Sequence, residues 1–98
     1  MIGEAGLIGF DLNLMVVFLT VYQQRSVSRA AACLNVGQPA VSGSLARLRS
    51  RFDDPLFIRH GRGIAPSAKA EQIADRLAPL LQDIEELLSS NMARVPLR

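Results

Sequence analysis

A three-residue interruption, Asn35-Val36-Gly37, divides an otherwise helical stretch and most narrows what this chain can fold into. Asn and Gly tolerate left-handed and other non-helical backbone, so the interruption predicts a tight turn between two helices. Helices joined by so short a turn cross closely only if a small side chain lies at their contact, and Ala31 takes that place. Apolar anchors are predicted around the turn at Leu34, Val36, Val41 and Leu45. This spacing is typical of a helix-turn-helix, whose second helix lies in the DNA major groove.

Apolar residues at helical spacing predict the helices around this turn. The first follows Asp11, a good N-cap, and is expected to bury the face formed by Leu12, Met15, Val16, Leu19 and Tyr22. Ser26 or Ser28 can cap the second helix, whose core side is predicted to hold Ala30, Ala31 and Leu34. The third helix is predicted to begin near Gln38 and to end near residues 53–55. Its core-facing side chains are expected to be Val41, Leu45, Leu48 and Phe52.

A short hairpin and a long last helix are predicted next. The apolar run 56–59, the glycine-bearing turn 60–63 and the pair Ile64-Ala65 favour two strands with a basic tip. Ser67 then caps a helix that extends to about residue 89, in which Pro79 predicts a kink. Its apolar residues recur with a seven-residue period, and so small a body cannot cover the whole stripe. We therefore expect this helix to pack against a second copy through Ile73, Leu77, Leu80, Leu81, Ile84, Leu87 and Leu88.

The length and composition of the chain argue against an enzyme and against a metal or cofactor site. A chain of 98 residues is one small domain with little room for an enclosed active site. Its single Cys and single His form neither an intramolecular disulfide nor a plausible zinc cluster, so no metal and no cofactor is expected. His60 has no obvious nucleophile beside it, Cys33 is interpreted as a small core residue, and no paired carboxylates share a plausible cleft. We therefore predict that the chain is not an enzyme.

The chain also lacks the sequence features of an exported or membrane-spanning protein. No apolar run approaches the length that spans a bilayer, and the start MIGEAGLIGF lacks the basic region that begins a secretory signal. A reducing, cytoplasmic setting is therefore expected.

Positive charge is concentrated in the middle of the chain. The net charge is only +2, yet residues 25–69 carry eight basic side chains against two acidic ones, and the segments on either side are each acidic by two charges. Such a basic segment is the footprint of a phosphate-binding surface, and a merely solvated face is the alternative.

The face of the third helix opposite its core side carries little bulk. A projection at about 100° per residue places Pro39, Gly43, Ala46 and Ser50 on this face, flanked by Ser42 and Arg47. Such a face lets the backbone approach base edges, where Gln38 can pair bidentately with adenine and Pro39 or Ala40 can meet a thymine methyl. Phosphate contacts are expected from Ser28, Arg29, Ser42, Arg47 and Arg51. Contacts of the hairpin tip with the minor groove are expected from Arg59 and Arg62.

Several short motifs together resemble the DNA-binding domain of LysR-type transcriptional regulators. They are DLNL at 11–14, SVSRAA at 26–31, QPAVS at 38–42, DPLFIR at 54–59, GRG at 61–63 and Pro66-Ser67. The resemblance covers about residues 10–90, and the motifs FDDPLF and GRG are most similar to those of the nodulation and leucine-operon regulators.

The resemblance implies a mainly α fold, a winged helix-turn-helix of three helices and a small β-hairpin wing, followed by a long linker helix that pairs two domains antiparallel. The implied segments are a flexible N-terminus (1–10), the winged helix-turn-helix (11–66), the dimerisation helix (67–89), and the start of a linker to an absent effector-binding domain (90–98). The recognition helix (about 38–52) is expected in the major groove and the wing (about 57–65) on the minor groove.

The family's partners follow as expectations from the same resemblance. They are a (pseudo)palindromic promoter site on double-stranded DNA bound by a homodimer, a tetramer in the full-length protein, and a small-molecule effector on the absent domain. The setting is the bacterial cytoplasm, at the nucleoid when the protein is bound to DNA.

Three positions depart from the family pattern. Gly37 stands where Ser or Thr is frequent, which weakens the cap of the recognition helix, and Gly43 stands where Arg or Asn would add a DNA contact. Ala70 stands where Gly is common and affects packing of the long helix. The alternative to DNA binding is a protein-interaction module whose heptad helix is the functional surface, and a small enzyme is a third, less favoured class.

Overall fold

The computed structural model of the chain describes residues 6–89, and the predicted linker at 90–98 lies outside them. The elements are α1 (Asn13–Gln24), α2 (Val27–Leu34), α3 (Gln38–Phe52), β1 (Phe57–His60), β2 (Gly63–Pro66) and α4 (Ala68–Leu88). This order confirms the predicted winged helix-turn-helix, in which three helices and a hairpin precede a long last helix. Phe10 belongs to the N-terminal segment that was expected to be flexible, yet it is half-buried and packs against the core.

Local side-chain chemistry sets most helix ends. The hydroxyls of Ser26 and Ser67 each accept a hydrogen bond from the backbone N–H three residues later, which caps α2 and α4 as predicted. Asn35 ends α2 in the left-handed conformation (φ 57°, ψ 47°), which is why the turn before α3 can be so short. Asp11 lies one residue farther from α1 than an N-cap, and its carboxylate accepts the N–H of Asn13 at 3.0 Å.

The core lies where α1 meets the other three helices. Its fully buried large side chains are Phe18, Leu48, Leu56, Val21 and Val41. The predicted core sides of α2 and α3 are confirmed, since Ala30, Ala31, Val41, Leu45 and Leu48 are buried and Leu34 and Phe52 pack against them. These helices therefore turn their polar and small side chains outward.

The predicted buried face of α1 is wrong in part. The buried residues are Leu14, Val17, Phe18 and Val21, whereas Leu12 is 56% exposed and Val16 is 40% exposed. Residues 14–19 of α1 are all apolar, so the hydrophobic period alone does not single out one face. Val36, predicted as an apolar anchor in the turn, is 46% exposed because the left-handed Asn35 carries the chain outward before α3 begins.

The wing is tied to the turn between α1 and α2. Its two strands are antiparallel, and the pairs at the two ends of the ladder are Phe57 with Pro66 and His60 with Gly63. The wing therefore ends at Pro66, one residue after its predicted end. The N–H of Ile64 donates to the carbonyl of Arg25 at 3.3 Å. A Cβ at Gly63 would lie 2.8 Å from that carbonyl oxygen, so only glycine allows the strand to approach so closely.

One carboxylate holds the corner where α3, the wing and α4 meet. The Oδ2 of Asp54 accepts the backbone N–H of Leu56 at 2.8 Å and the hydroxyl of Ser67 at 2.6 Å. The N–H of Ser67 in turn donates to the carbonyl of Leu56 at 2.7 Å. Leu56 is fully buried at φ +64°, a conformation that a leucine adopts only when its surroundings hold it there. We call Asp54, Leu56 and Ser67 the Asp54 corner.

We expect Asp54→Asn to destabilise the fold at neutral pH by an amount that shrinks in acid. Hydrogen bonds, first from Ser67 and then from Leu56, lower the pKa of Asp54 below its ordinary value of 3.8. A lowered folded-state pKa stabilises the protein above the unfolded-state pKa, and this stabilisation is lost as the pH falls through the folded-state pKa. The check is the free energy of urea unfolding of both proteins, from neutral pH to below 3.8.

Ser67→Ala provides the matched background for that comparison, because it removes the donor that lowers the pKa of Asp54 most. In that background the effect of Asp54→Asn at neutral pH should be smaller. A difference between the two proteins that stays constant over the whole pH range contradicts the assigned role of the charge.

Candidate nucleic-acid interface

The N-terminal turn of α3 is open to solvent. Gly37 is its N-cap, as predicted, and contributes no side-chain hydrogen bond, while Pro39 fits in the first turn where its missing N–H costs nothing. Gln38, Pro39 and Ala40 are all exposed. The first turn therefore presents an amide side chain and two small apolar surfaces to any ligand that approaches the helix end-on.

The outward face of α3 has little bulk, as the sequence predicts. Pro39, Gly43 and Ala46 are exposed, and a Cβ built at Gly43 would meet no atom within 4 Å. Ser42 and Arg47, which flank this face, are exposed as well. With the opposite face buried, the backbone of α3 can come close to a flat or grooved partner.

The arginines of α3 differ in what they contact. Arg47 and Arg51 are exposed and lie one turn apart on the same side of the helix. Arg49 instead donates its Nε to the carbonyl of Pro55 at 2.8 Å and so helps to hold the chain after α3. The guanidinium carbon of Arg51 lies 5.2 Å from the centre of the Phe10 ring. Residue type alone does not separate these three roles.

The remaining predicted DNA contacts lie on α2 and the wing. Ser28 and Arg29 are exposed in the first turn of α2, where the hydroxyls of Ser26 and Ser28 lie 3.1 Å apart. Arg59 is exposed on β1, and Arg62 is exposed in the two-residue turn of the wing. The structure thus leaves every predicted contact residue at the surface: Ser28, Arg29, Gln38, Pro39, Ala40, Ser42, Gly43, Arg47, Arg51, Arg59 and Arg62.

Two aromatic residues contact arginines of the basic segment, and neither of them is predicted from the sequence to belong to a binding site. Phe10 contacts Arg51, and the ring of Tyr22 lies 4.9 Å from the guanidinium carbon of Arg25. Arg25 also donates its Nε to the carbonyl of Tyr22 at 2.7 Å. The three-residue spacing of Tyr22 and Arg25 at a helix end is a signal that the sequence carries, whereas Phe10 and Arg51 meet only in the folded chain.

The predicted dimer seam on α4 is narrower than the heptad pattern indicates. Leu77 is 8% exposed and belongs to the core of its own protomer, and Ile73 and Leu81 pack against that core. Leu80, Ile84, Leu87 and Leu88 are exposed by about half or more. Two of them, Ile84 and Leu88, line a groove of about 530 Å³ between α1 and α4. The other residues that line it are Val16, Leu19, Thr20, Gln23, Ala78, Leu81, Gln82 and Glu85. The exposed half of α1 therefore continues the apolar surface of α4.

The described residues hold no group of three potential metal ligands. Cys33, interpreted from the sequence as a core residue, is exposed, because Ala30 and Ala31 fill the contact between α2 and its neighbours. None of the helices between residues 6 and 89 is long and apolar enough to cross a membrane.

Comparison with known proteins places these features in a family. The family model described as bacterial regulatory helix-turn-helix protein, lysR family, matches residues 12–71. The regulator LeuO of Escherichia coli strain K12 is 46% identical over 78 residues, which cover 80% of this chain and 25% of that protein. Nodulation protein D 2 of Bradyrhizobium sp. strain NC92 is 42% identical over 77 residues, covering 79% of this chain and 23% of that protein. The chain thus spans about a quarter of the length of these relatives.

Solved structures agree with this result. The probable transcriptional regulator PA0477 of Pseudomonas aeruginosa superposes with a TM-score of 0.80 at 40% identity, over 84% of this chain and 28% of that chain. The DNA-binding domain of BenM, crystallised with catB site 1 DNA, superposes with a TM-score of 0.78 at 19% identity, over 91% of this chain and 100% of that chain. At that identity, the BenM structure supports the fold.

We expect Gly43→Ala to stabilise the folded protein by about 0.5–1 kcal/mol, because the added methyl meets open space and alanine loses less conformational entropy in a helix. Gly63→Ala is the control of opposite sign, because its methyl would lie 2.8 Å from the carbonyl oxygen of Arg25. The check is the midpoint of urea unfolding of each variant. A destabilised Gly43→Ala variant would mean that the outward face of α3 is covered in solution.

Proposed function

This chain belongs to the lysR family of bacterial regulatory helix-turn-helix proteins, and we propose that it binds a (pseudo)palindromic promoter site as a homodimer. It is a DNA-binding domain of a transcriptional regulator and not an enzyme. In the proposed complex α3 lies in the major groove and the wing lies on the adjoining minor groove. The bacterial cytoplasm is the proposed place of action.

The observation that carries this proposal is the exposed, small outward face of α3. A groove about 12 Å wide admits a helix whose backbone can approach the base edges, and Gly43 and Ala46 leave room for that approach. Gln38 lies at the end nearest the bases, where its amide can pair bidentately with adenine. The Pro39 ring and the Ala40 methyl are exposed beside it and suit contact with a thymine methyl.

Phosphates are proposed to be held by side chains around this face. Ser42, Arg47 and Arg51 flank it on α3, and Ser28 and Arg29 are exposed at the start of α2. Arg59 and Arg62 on the wing would follow the minor groove. These contacts set register and supply most of the affinity, so binding should weaken steeply as salt is added.

The dimer is proposed to form through the second half of α4. Leu80, Ile84, Leu87 and Leu88 expose apolar surface that has no cover within the described chain, and the groove beside α1 extends it. A second copy of the same helix, running antiparallel, covers such a stripe with equal chemistry on both sides. The small-molecule effector and the tetramer are proposals for a protein of the length of the relatives, to which this domain would contribute the DNA contacts.

We expect Gln38→Ala to reduce sequence preference without abolishing DNA binding. The assay selects duplexes from a random pool and compares the selected and scrambled duplexes by mobility shift. Loss of one bidentate base contact lowers the ratio of the two affinities by about tenfold. An unaltered ratio would contradict the assignment of α3 as the reading helix.

We expect Arg47→Gln to weaken binding to both duplexes by similar factors and to reduce the slope of log affinity against log salt by about 1, because it removes one phosphate contact. Arg49→Gln is the matched control on the same helix, because the Arg49 side chain is bound to the carbonyl of Pro55. Arg49→Gln should leave the slope unchanged. A wild-type protein that dimerises but shows no salt-dependent affinity for either duplex would support the protein-interaction module instead.

We expect Ile84→Asp to shift the protein from dimer to monomer, because a carboxylate in the centre of the apolar seam is costly to bury. Sedimentation velocity measures the change, and Glu71→Gln, exposed in the first turn of α4, is the control. A wild-type chain that sediments as a monomer with or without DNA contradicts the proposed seam.

A further inference from the structure

The segment just before α1 lies against the C-terminal end of α3. The guanidinium carbon of Arg51 is 5.2 Å from the centre of the Phe10 ring, within the range of a cation–π contact. The guanidinium also lies close to Gly6, where a Cβ would be only 2.7 Å from a terminal nitrogen of Arg51. Gly6 and Phe10 therefore both lie against this one side chain, and we call these two residues the Arg51 seat.

The seat itself is anchored. Phe10 is half-buried and packs against the core, and its N–H donates to the carbonyl of Leu7 at 3.1 Å. Gly6 and Gly9 both have positive φ (90° and 83°), which lets the chain turn back toward α3. The segment is therefore folded onto α3 at Phe10.

An aromatic seat leaves the charge of Arg51 available. The ring carries no charge of its own, so the guanidinium can still donate hydrogen bonds to a phosphate. A carboxylate partner would instead neutralise the charge. An arginine side chain that is free in solution loses much of its rotamer entropy when it binds a phosphate. An arginine that already rests on an aromatic ring has lost part of that entropy before binding, so it loses less on binding.

The surroundings of the seat fit a phosphate. Arg47, Ser50 and Arg51 line a shallow cleft of about 350 Å³ together with Gly9, Phe10, Asp11 and Leu14. Two arginines and a serine thus border the same cleft. The carboxylate of Asp11 also borders it, and it accepts the N–H of Asn13 at 3.0 Å.

We propose that Phe10 is a positioning residue that holds the guanidinium of Arg51 ready for a DNA phosphate at the C-terminal end of α3. This inference rests on the proposed DNA-binding function and adds to it a residue outside the helix-turn-helix and the wing. Phe10 is assigned no DNA contact of its own in this proposal, and its effect passes through Arg51.

The test is a double-mutant cycle on the duplex selected above. Phe10→Leu keeps an apolar side chain against the core but removes the aromatic face. We expect it to weaken binding by about two- to fivefold, the scale of part of the rotamer entropy of one arginine side chain. Phe10→Tyr retains the ring and should restore wild-type affinity. In the Arg51→Gln background, Phe10→Leu should have no further effect, because the side chain that it positions is gone.

A readout that does not depend on DNA accompanies the cycle. The ring current of Phe10 should displace the Hε resonance of Arg51 in the free protein, and the displacement should disappear in Phe10→Leu and persist in Phe10→Tyr. Urea unfolding of each variant separates a loss of fold from a loss of position.

The outcomes distinguish the two proposals. If the wild-type chain binds no duplex at low salt, the proposed function fails and this inference fails with it. If the wild-type chain binds and Phe10→Leu weakens binding equally with and without Arg51, Phe10 has only a structural role and the inference is overturned. An Arg51→Gln variant that binds as tightly as the wild type also overturns it.

Discussion

The carboxylate of Asp54 ties the end of α3 to the start of the wing and the start of α4. One of its oxygens accepts the N–H of Leu56, which is held at positive φ, and the hydroxyl of Ser67, which caps α4. This corner lies where α3 and the wing lead into α4, so it connects the proposed reading helix to the helix that carries the proposed dimer seam. In a two-fold dimer, the angle between these two helices would decide how far apart the two reading helices lie, and hence the spacing of half-sites.

The surfaces left for partners follow from the central position of α1. This helix contacts α2, α3 and α4, and its residues Phe18 and Val21 are fully buried. The outward face of α3 then remains free, small and flanked by arginines, which suits a polyanion. The second half of α4 remains free and apolar, which suits another apolar helix. The proposed DNA surface on α3 and the proposed dimer surface on α4 therefore differ in chemistry and lie on different helices.

Arginines in one basic segment have different tasks because each has a different neighbour. Arg49 donates to the carbonyl of Pro55, Arg51 rests on the ring of Phe10, and Arg47 is exposed. Arg25 shows a fourth case, since its backbone carbonyl accepts the N–H of Ile64 in the wing while its side chain contacts Tyr22. The number of charges along the sequence identifies the basic segment, but the role of each arginine depends on its contacts in the folded chain.

The sequence by itself determined the features that depend on interactions within a few residues. The caps at Ser26 and Ser67, the left-handed turn at Asn35 and the inward sides of α2 and α3 all follow from neighbouring residues and a clear apolar period. The tertiary structure alone decided which face of α1 is buried, that Leu77 belongs to the protomer core while Leu80 is exposed, and that Phe10 meets Arg51. The physical reason is that α1 and α4 carry more apolar positions than one contact can cover. Which of those positions become buried depends on helices that come together only when distant parts of the chain fold.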